Sequence, residues 1–247
     1  MADAVEVRDV YRFFGKGAGE VPVLRGVSLR VAEGEFVCVM GPSGSGKSTL
    51  LHVISGLDEP SAGAVTLFGH DLERMSPAAR TLLRRRSIGY VFQFFNLLPN
   101  LSVEENVGLP LAIAGGRPED AKERIQKLLE RFGLAARARH LPHQLSGGEM
   151  QHTSIARALA GQQPLLLCDE PTGNLSQKAG RQVMETLRRV ADEDKKSVLL
   201  VTHNPRDACY ADRVLFLVDG ELQVDPVLRG PGLTVEGVHE ALSALEI

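Results

Sequence analysis

The chain has 247 residues, 43% of them hydrophobic and 24% charged, and its 28 Lys and Arg against 31 Asp and Glu leave a formal net charge of −3. These proportions exclude wholesale disorder, and the slight acidity argues against a general nucleic-acid binder, whose domains are strongly basic. No window approaches the ~18–20 consecutive apolar residues of a membrane-spanning helix, and the alternating, charged start from Met1 to Asp9 does not read as a signal peptide. Composition therefore predicts a soluble cytosolic protein, with Cys38, Cys168 and Cys209 as structural thiols.

In chain order, Val5-Glu6-Val7-Arg8-Asp9-Val10 and Val27-Ser28-Leu29-Arg30-Val31 alternate apolar and polar residues. That period predicts an antiparallel sheet with one wet face. Phe36–Met40, Ile88–Phe92, Leu165–Cys168 and Val198–Val201 are instead nearly continuous apolar runs, the pattern of strands buried on both faces of a parallel sheet. Arg84-Arg85-Arg86 reads as a solvated helix end. Residues from about Asn96 to Arg139, bounded by Pro99 and Pro142, are helix-rich and read as an insertion. Lys122 to Phe132 places Ile125, Leu128, Leu129 and Phe132 on one helical face, and Gly180 to Ala191 does the same with Val183, Met184, Leu187 and Val190. Strands alternating with helices predict an α/β domain. Asp219-Gly220 marks a tight hairpin, and after Pro226 a short tail carries Val238, Leu242 and Leu245 at weak helical spacing.

Gly41-Pro42-Ser43-Gly44-Ser45-Gly46-Lys47-Ser48-Thr49 comes directly after the apolar run Phe36–Met40 and matches G-x-x-x-x-G-K-[ST]. Glycines let successive backbone N–H groups converge on a phosphate, and the helix beginning near Lys47 aims its positive end at the same point. Lys47 then reaches the β- and γ-phosphates, and the Ser48 hydroxyl ligates Mg²⁺. A nucleoside triphosphate site is the reading. The run Leu165–Cys168 delivers two acids, Asp169 and Glu170, at the strand end where open α/β sheets bind ligands. Asp169 holds Mg²⁺ in this reading, and Glu170 accepts a proton from the attacking water. Gln93 and His203 stand just beyond two other apolar runs, and for each the bland alternative is a satisfied loop residue.

Leu145-Ser146-Gly147-Gly148-Glu149 stands about a hundred residues after the phosphate loop and about twenty before Asp169. Ser146 is a good N-cap, and the two glycines leave amides uncovered at a helix start, which makes a second anion site. The ordered set of phosphate loop, Gln93, this signature, the acidic strand and His203 resembles the ATP-binding cassette (ABC) ATPases over roughly residues 4–225. The resemblance implies a P-loop NTPase core with a mostly parallel sheet, an N-terminal antiparallel β subdomain, and a helical subdomain inserted at about 94–158. It sets residues 1–225 as one domain and 226–247 as a C-terminal tail. It further implies ATP and Mg²⁺ as ligands, and a homodimer of two such subunits closing head-to-tail. Each ATP then lies between one subunit's Lys47 and the other's Leu145–Glu149. Glu170 polarises the water, His203 contacts the γ-phosphate, and Gln93 completes the Mg²⁺ shell. The adenine stacks on Phe14, with Tyr11 as the alternative.

The stretch Val91–Pro99 and Leu101–Val107 is similar to the macrolide-exporter, lipoprotein-release and cell-division branch of that family. That similarity implies an integral membrane permease contacted near Phe94, Phe95, Leu97 and Leu98. It also places the chain on the cytoplasmic face of the membrane, with no nucleic-acid partner. Two residues depart from the family pattern: Ser176 stands where Asp is usual, and His152 where Arg is usual. Glu149 replaces the commoner Gln. Ser176 keeps open an impaired subunit that binds ATP structurally, and a non-transport ABC ATPase is a further alternative.

Overall fold

The computed structural model describes residues 2–15, 19–115, 118–230 and 232–246. The alternating segments near the N-terminus form β1 (Asp3–Phe14) and β2 (Val21–Ala32), which pair antiparallel. With β4 (Ala62–Leu67) and β5 (His70–Asp71) they make a sheet of order β2-β1-β4-β5. Val5, Val7, Val10, Val27, Leu29 and Val31 face inward from it and are buried, as their period of two requires.

The apolar runs form a second sheet: β3 (Phe36–Met40), β6 (Ile88–Val91), β7 (Leu165–Asp169), β8 (Ser197–Thr202) and β9 (Arg213–Val218). These five are mutually parallel in the spatial order β9-β3-β8-β7-β6. β10 (Glu221–Leu222) closes the Asp219-Gly220 hairpin antiparallel to β9. Both turn residues have positive φ, 47° and 83°, the backbone that a two-residue hairpin of matching twist needs.

Alternate residues of each strand enter two separate cores. Phe36, Cys38, Met40, Leu166, Cys168, Val198, Leu200, Val214 and Phe216 pack on one face with Ile155 of α5 (Gly147–Leu159) and with Val183, Met184 and Leu187 of α6 (Gln177–Asp194). Val37, Val39, Leu165, Leu167, Leu199, Val201, Leu215 and Leu217 face the other way, against Leu50, Leu51 and Ile54 of α1 (Lys47–Ile54) and the antiparallel sheet. A strand covered on both faces has no use for polar side chains, hence the unbroken apolar runs.

The helical insertion contains α3 (Val103–Ile113) and α4 (Pro118–Arg131) and is completed by α5. α3 starts with a reciprocal cap between Ser102 and Glu105. Leu129 and Phe132 are buried against the core, with Ile125 and Leu128 packed beside them. Asn106, fully buried, bonds Leu98 N and the carbonyls of Leu98, Leu101 and Ser102, so α3 is tied to the chain entering it. Of the basic run at the end of α2 (Pro77–Ser87), Arg85 and Arg86 are exposed. Arg84 differs from the expectation: it is half-buried and donates to Gly56 O at 3.0 Å.

The segment after residue 225, set apart in the sequence as a tail, joins this same body. β11 (Leu228–Arg229) pairs antiparallel with β9, and α8 (Val235–Ala244), lying against the short α7 (Pro205–Ala208), buries Val238 and Ala241 in the core that α5 and α6 share. The weak helical spacing of Val238, Leu242 and Leu245 marks the face that docks, and all three pack on this core. Val238→Ala should cost about 1–3 kcal/mol and lower the melting temperature by about 2–4 °C per kcal/mol. An unchanged melting curve would mean that α8 packs on nothing that matters.

Candidate functional site

The four neighbouring strands β3, β8, β7 and β6 all point the same way, so their C-terminal ends line one edge. Met40 pairs with Thr202, Val201 with Asp169, and Cys168 with Val91. The residues just beyond each strand are therefore brought together: the phosphate loop, His203, the acids and Gln93. They line an open cleft of about 340 Å³ that includes Ser43, Gly44, Gly46, Lys47, Ser48, Thr49, Gln93, Glu170 and His203, with Val23 from β2.

The loop's shape is enforced by close backbone approach. A Cβ on Gly41 would lie 2.0 Å from Leu217 O, and Gly46 has φ +101° with Val23 O 2.8 Å from where its Cβ would be. No other residue fits either place. The Asp219-Gly220 hairpin props the loop from behind, since Gly220 N donates to Ser45 O at 3.1 Å and Gly220 O accepts from Arg25 N at 2.8 Å. Lys47 opens α1 and is 5% exposed. Its Nζ donates to Gly41 O (2.9 Å) and Pro42 O (2.8 Å) and lies 3.8 Å from Glu170 Oε1. Burial pulls the Lys47 pKa below its ordinary value, and the charges of Glu170 and Asp169 oppose that pull.

The two acids diverge. Asp169 Oδ1 accepts from the Ser48 hydroxyl at 3.0 Å, whereas Glu170 Oε2 lies 2.5 Å from His203 Nδ1. Glu170 has φ +43°, a left-handed backbone that costs a non-glycine residue about 1–3 kcal/mol and gathers at functional positions. Its N–H donates to Val201 O at 3.0 Å, which fixes the turn. Burial raises the Asp169 pKa, with the Ser48 hydroxyl pulling it back. Ser48, Asp169 and the Gln93 amide offer only hard oxygen donors, the set that suits Mg²⁺. Among the described residues no group of three or more His, Cys, Asp or Glu side chains is placed to hold a metal.

The signature lies away from this cleft. Ser146 caps α5: its Oγ accepts from Glu149 N at 3.3 Å, and Glu149 Oε2 accepts from Ser146 N at 2.8 Å. Those bonds, and after them Arg137 at 3.0 Å, lower the Glu149 pKa, so the carboxylate standing in for Gln has its own counter-charge. A Cβ on Gly147 would lie a tight 3.0 Å from Leu175 Cδ2, but one on Gly148 would meet Ala179 Cβ at 3.5 Å, an ordinary contact. Among the described residues nothing demands glycine at 148.

Phe14 ends β1 with 43% of its surface exposed, and the Arg12 guanidinium lies 4.5 Å over its ring. It does not line the phosphate cleft. Tyr11 instead stacks on Phe13 and presses its hydroxyl against Gly26. Ser176 caps α6, accepting from Ala179 N at 3.4 Å; a hydroxyl thus serves the helix start as a carboxylate would. His152 turns inward beside Phe132, its ring 6.2 Å away, and burial lowers its pKa. Phe94 (72%) and Leu98 (44%) are exposed, while Phe95 and Leu97 are half-buried. Asn174, which the sequence did not single out, donates from Nδ2 to Gln93 O at 2.9 Å.

Comparison with known proteins agrees with this geometry. A family profile described as ABC transporter matches residues 24–173. The lipoprotein-releasing system ATP-binding protein LolD of Geobacter metallireducens is 47% identical over 225 residues, 91% of this chain and 100% of that one. The macrolide export ATP-binding/permease protein MacB of Syntrophobacter fumaroxidans is 44% identical over 223 residues, 90% of this chain and 31% of that protein. Among solved structures, a dimeric ATP-binding cassette in a post-hydrolysis state, bound to ADP and Pi, superposes with a TM-score of 0.84 at 39% identity. It covers 92% of this chain and 99% of that one.

The raised pKa of Asp169 has a definite sign in stability. Its folded value lies above the ordinary 3.8, so the folded state holds the proton longer than the unfolded one. Ionisation then costs stability as pH rises from 3.8 through the folded value. Asp169→Asn removes that cost. In chemical denaturation of the chain without added nucleotide, the variant should gain on the wild type as pH rises above 3.8 and level off once the raised folded pKa is passed. A difference that stays flat, or falls, would contradict the burial of the Asp169 charge.

Proposed function

The chain belongs to the ABC transporter family, and from that premise we propose how its residues divide the work of an ATP-hydrolysing subunit. The subunit binds ATP, dimerises head-to-tail on it and drives a membrane permease. ATP lies with its phosphates on the loop Gly41–Thr49, where Lys47 exchanges the carbonyls of Gly41 and Pro42 for the β- and γ-phosphate oxygens. Ser48, Asp169 and Gln93 hold Mg²⁺, which neutralises phosphate charge when bound. Glu170 takes the proton of the attacking water as the bond from γ-phosphorus to the bridging oxygen breaks, leaving ADP and inorganic phosphate. His203, already at 2.5 Å from Glu170, orients that carboxylate and reaches the γ-phosphate. Phe14 offers its ring to the adenine.

The observation that carries the two-subunit arrangement is the signature's separation from the cleft, together with a Gly148 that its own chain does not need. A second copy's phosphate explains both: Ser146, Gly147 and Gly148 at the start of α5 present uncovered amides to it. By the same reading the permease docks on the exposed Phe94 and Leu98, beside the half-buried Phe95 and Leu97. Among the described residues no helix is long and apolar enough to cross a membrane, and the permease holds the subunit at the cytoplasmic face.

Light scattering with Mg-ATP tests this. Glu170→Gln should dimerise and lose hydrolysis by about 10²–10⁴-fold; a mass that stays monomeric would overturn the sandwich. Gly148→Ala should melt like the wild type and still bind ATP, yet fail to dimerise, because the added methyl stands where the partner's phosphate approaches. Full dimerisation of Gly148→Ala would remove the signature from the site.

A further inference from the structure

The loop that carries Gln93 is anchored by α5, the helix the signature opens, by α3, and by the turn before α6. Phe95 and Asn96 lie one after the other in the left-handed region, at φ 58° and 49°, a backbone that non-glycine residues rarely hold in succession. Their carbonyls turn toward α5, and Arg157 takes both: Nη1 donates to Asn96 O at 2.5 Å and Nη2 to Phe95 O at 2.7 Å. Asn174 holds the Gln93 carbonyl on the near side, and Asn106 holds Leu98 on the far side. These anchors sit on α5, on the turn before α6 and on α3. Arg157 has no carboxylate beside it among the described residues, and burial alone depresses its pKa. A cation placed so has the two loop carbonyls as its main satisfaction.

We propose that Arg157 is a positioning residue for hydrolysis, a two-pronged clamp that fixes the Gln93 loop against the signature helix. Without it the carbonyls of Phe95 and Asn96 lose their shared partner, and the Gln93 amide shifts relative to the phosphate loop. The clamp rests on the reading of Gln93 as a ligand of the Mg²⁺ shell, and its test separates the two. A misplacement of about 1 Å by a residue remote from the chemistry can cost up to ~10²-fold in rate, mostly in kcat, because Gln93 is one contact among many that bind ATP.

Steady-state ATPase activity of the full chain decides it, with thermal melting as the control for folding. Arg157→Met should lower kcat by about 10- to 100-fold while KM for ATP changes by less than about twofold. Arg157→Lys, which keeps one prong, should recover part of the loss. Gln93→Ala should be impaired by itself, and the double variant with Arg157→Met should be no worse than Gln93→Ala alone, since both act through one group. Losses that multiply in the double variant, or wild-type kcat in Arg157→Met beside an impaired Gln93→Ala, would overturn the clamp and leave Gln93 in place. Wild-type kcat in Gln93→Ala would overturn the reading of Gln93 and the clamp with it. If Arg157→Met melts too low to assay, Arg157→Lys carries the same comparison with Gln93→Ala.

Discussion

Everything in the site depends on four parallel strands ending side by side. β6, β7, β8 and β3 are neighbours in one sheet whose two faces are both buried, so polar groups from all four can meet water only at the strand ends, and in open α/β sheets the C-terminal end is the one that takes the ligand. A one-residue slip in register would turn the side chains of a strand to the opposite core and shift the candidate site residue that follows it. Met40 beside Thr202, and Val201 beside Asp169, show how tightly that register sets the site. The sheet is a positioning device first.

The charges at that edge have partners within the chain that, in the proposed function, ATP replaces with better ones. Lys47 rests on two loop carbonyls and faces Glu170, and burial works against its charge as it does against that of Asp169. In the proposed complex, triphosphate oxygens give the ammonium anionic partners in place of neutral carbonyls, which adds Coulombic attraction to the hydrogen bonds. Glu170 sits on a left-handed backbone, fixed by its neighbours rather than by its own preference. Backbone strain and buried charge of this kind cost stability and gather where a ligand is bound.

The fold class and most of the catalytic edge were legible because each rests on a local pattern. Two-sided burial writes an unbroken apolar run, one-sided burial an alternating one, and a phosphate loop needs glycines at fixed spacing. The anchors were not legible. Arg157 and Asn174 bond backbone carbonyls 62 and 81 residues away, and a carbonyl leaves no trace in residue identity. The helix α8 was legible from the spacing of Val238, Leu242 and Leu245, but no local pattern says which core that face meets. Ser176 and Glu149 departed from the family pattern as symbols. In space one still caps its helix, and the other is balanced by Arg137.

Subunit complementation tests the composite site most directly. Lys47→Ala and Gly148→Ala each spoil both sites of a homodimer, one through the phosphate loop and the other through the signature. In a head-to-tail dimer of one copy of each, both defects fall in the same site and the other site is intact. Mixing the two inactive variants should therefore restore ATP hydrolysis that neither shows alone, measured as single turnover so that one working site suffices. A mixture as inactive as its components would contradict a site built from two chains.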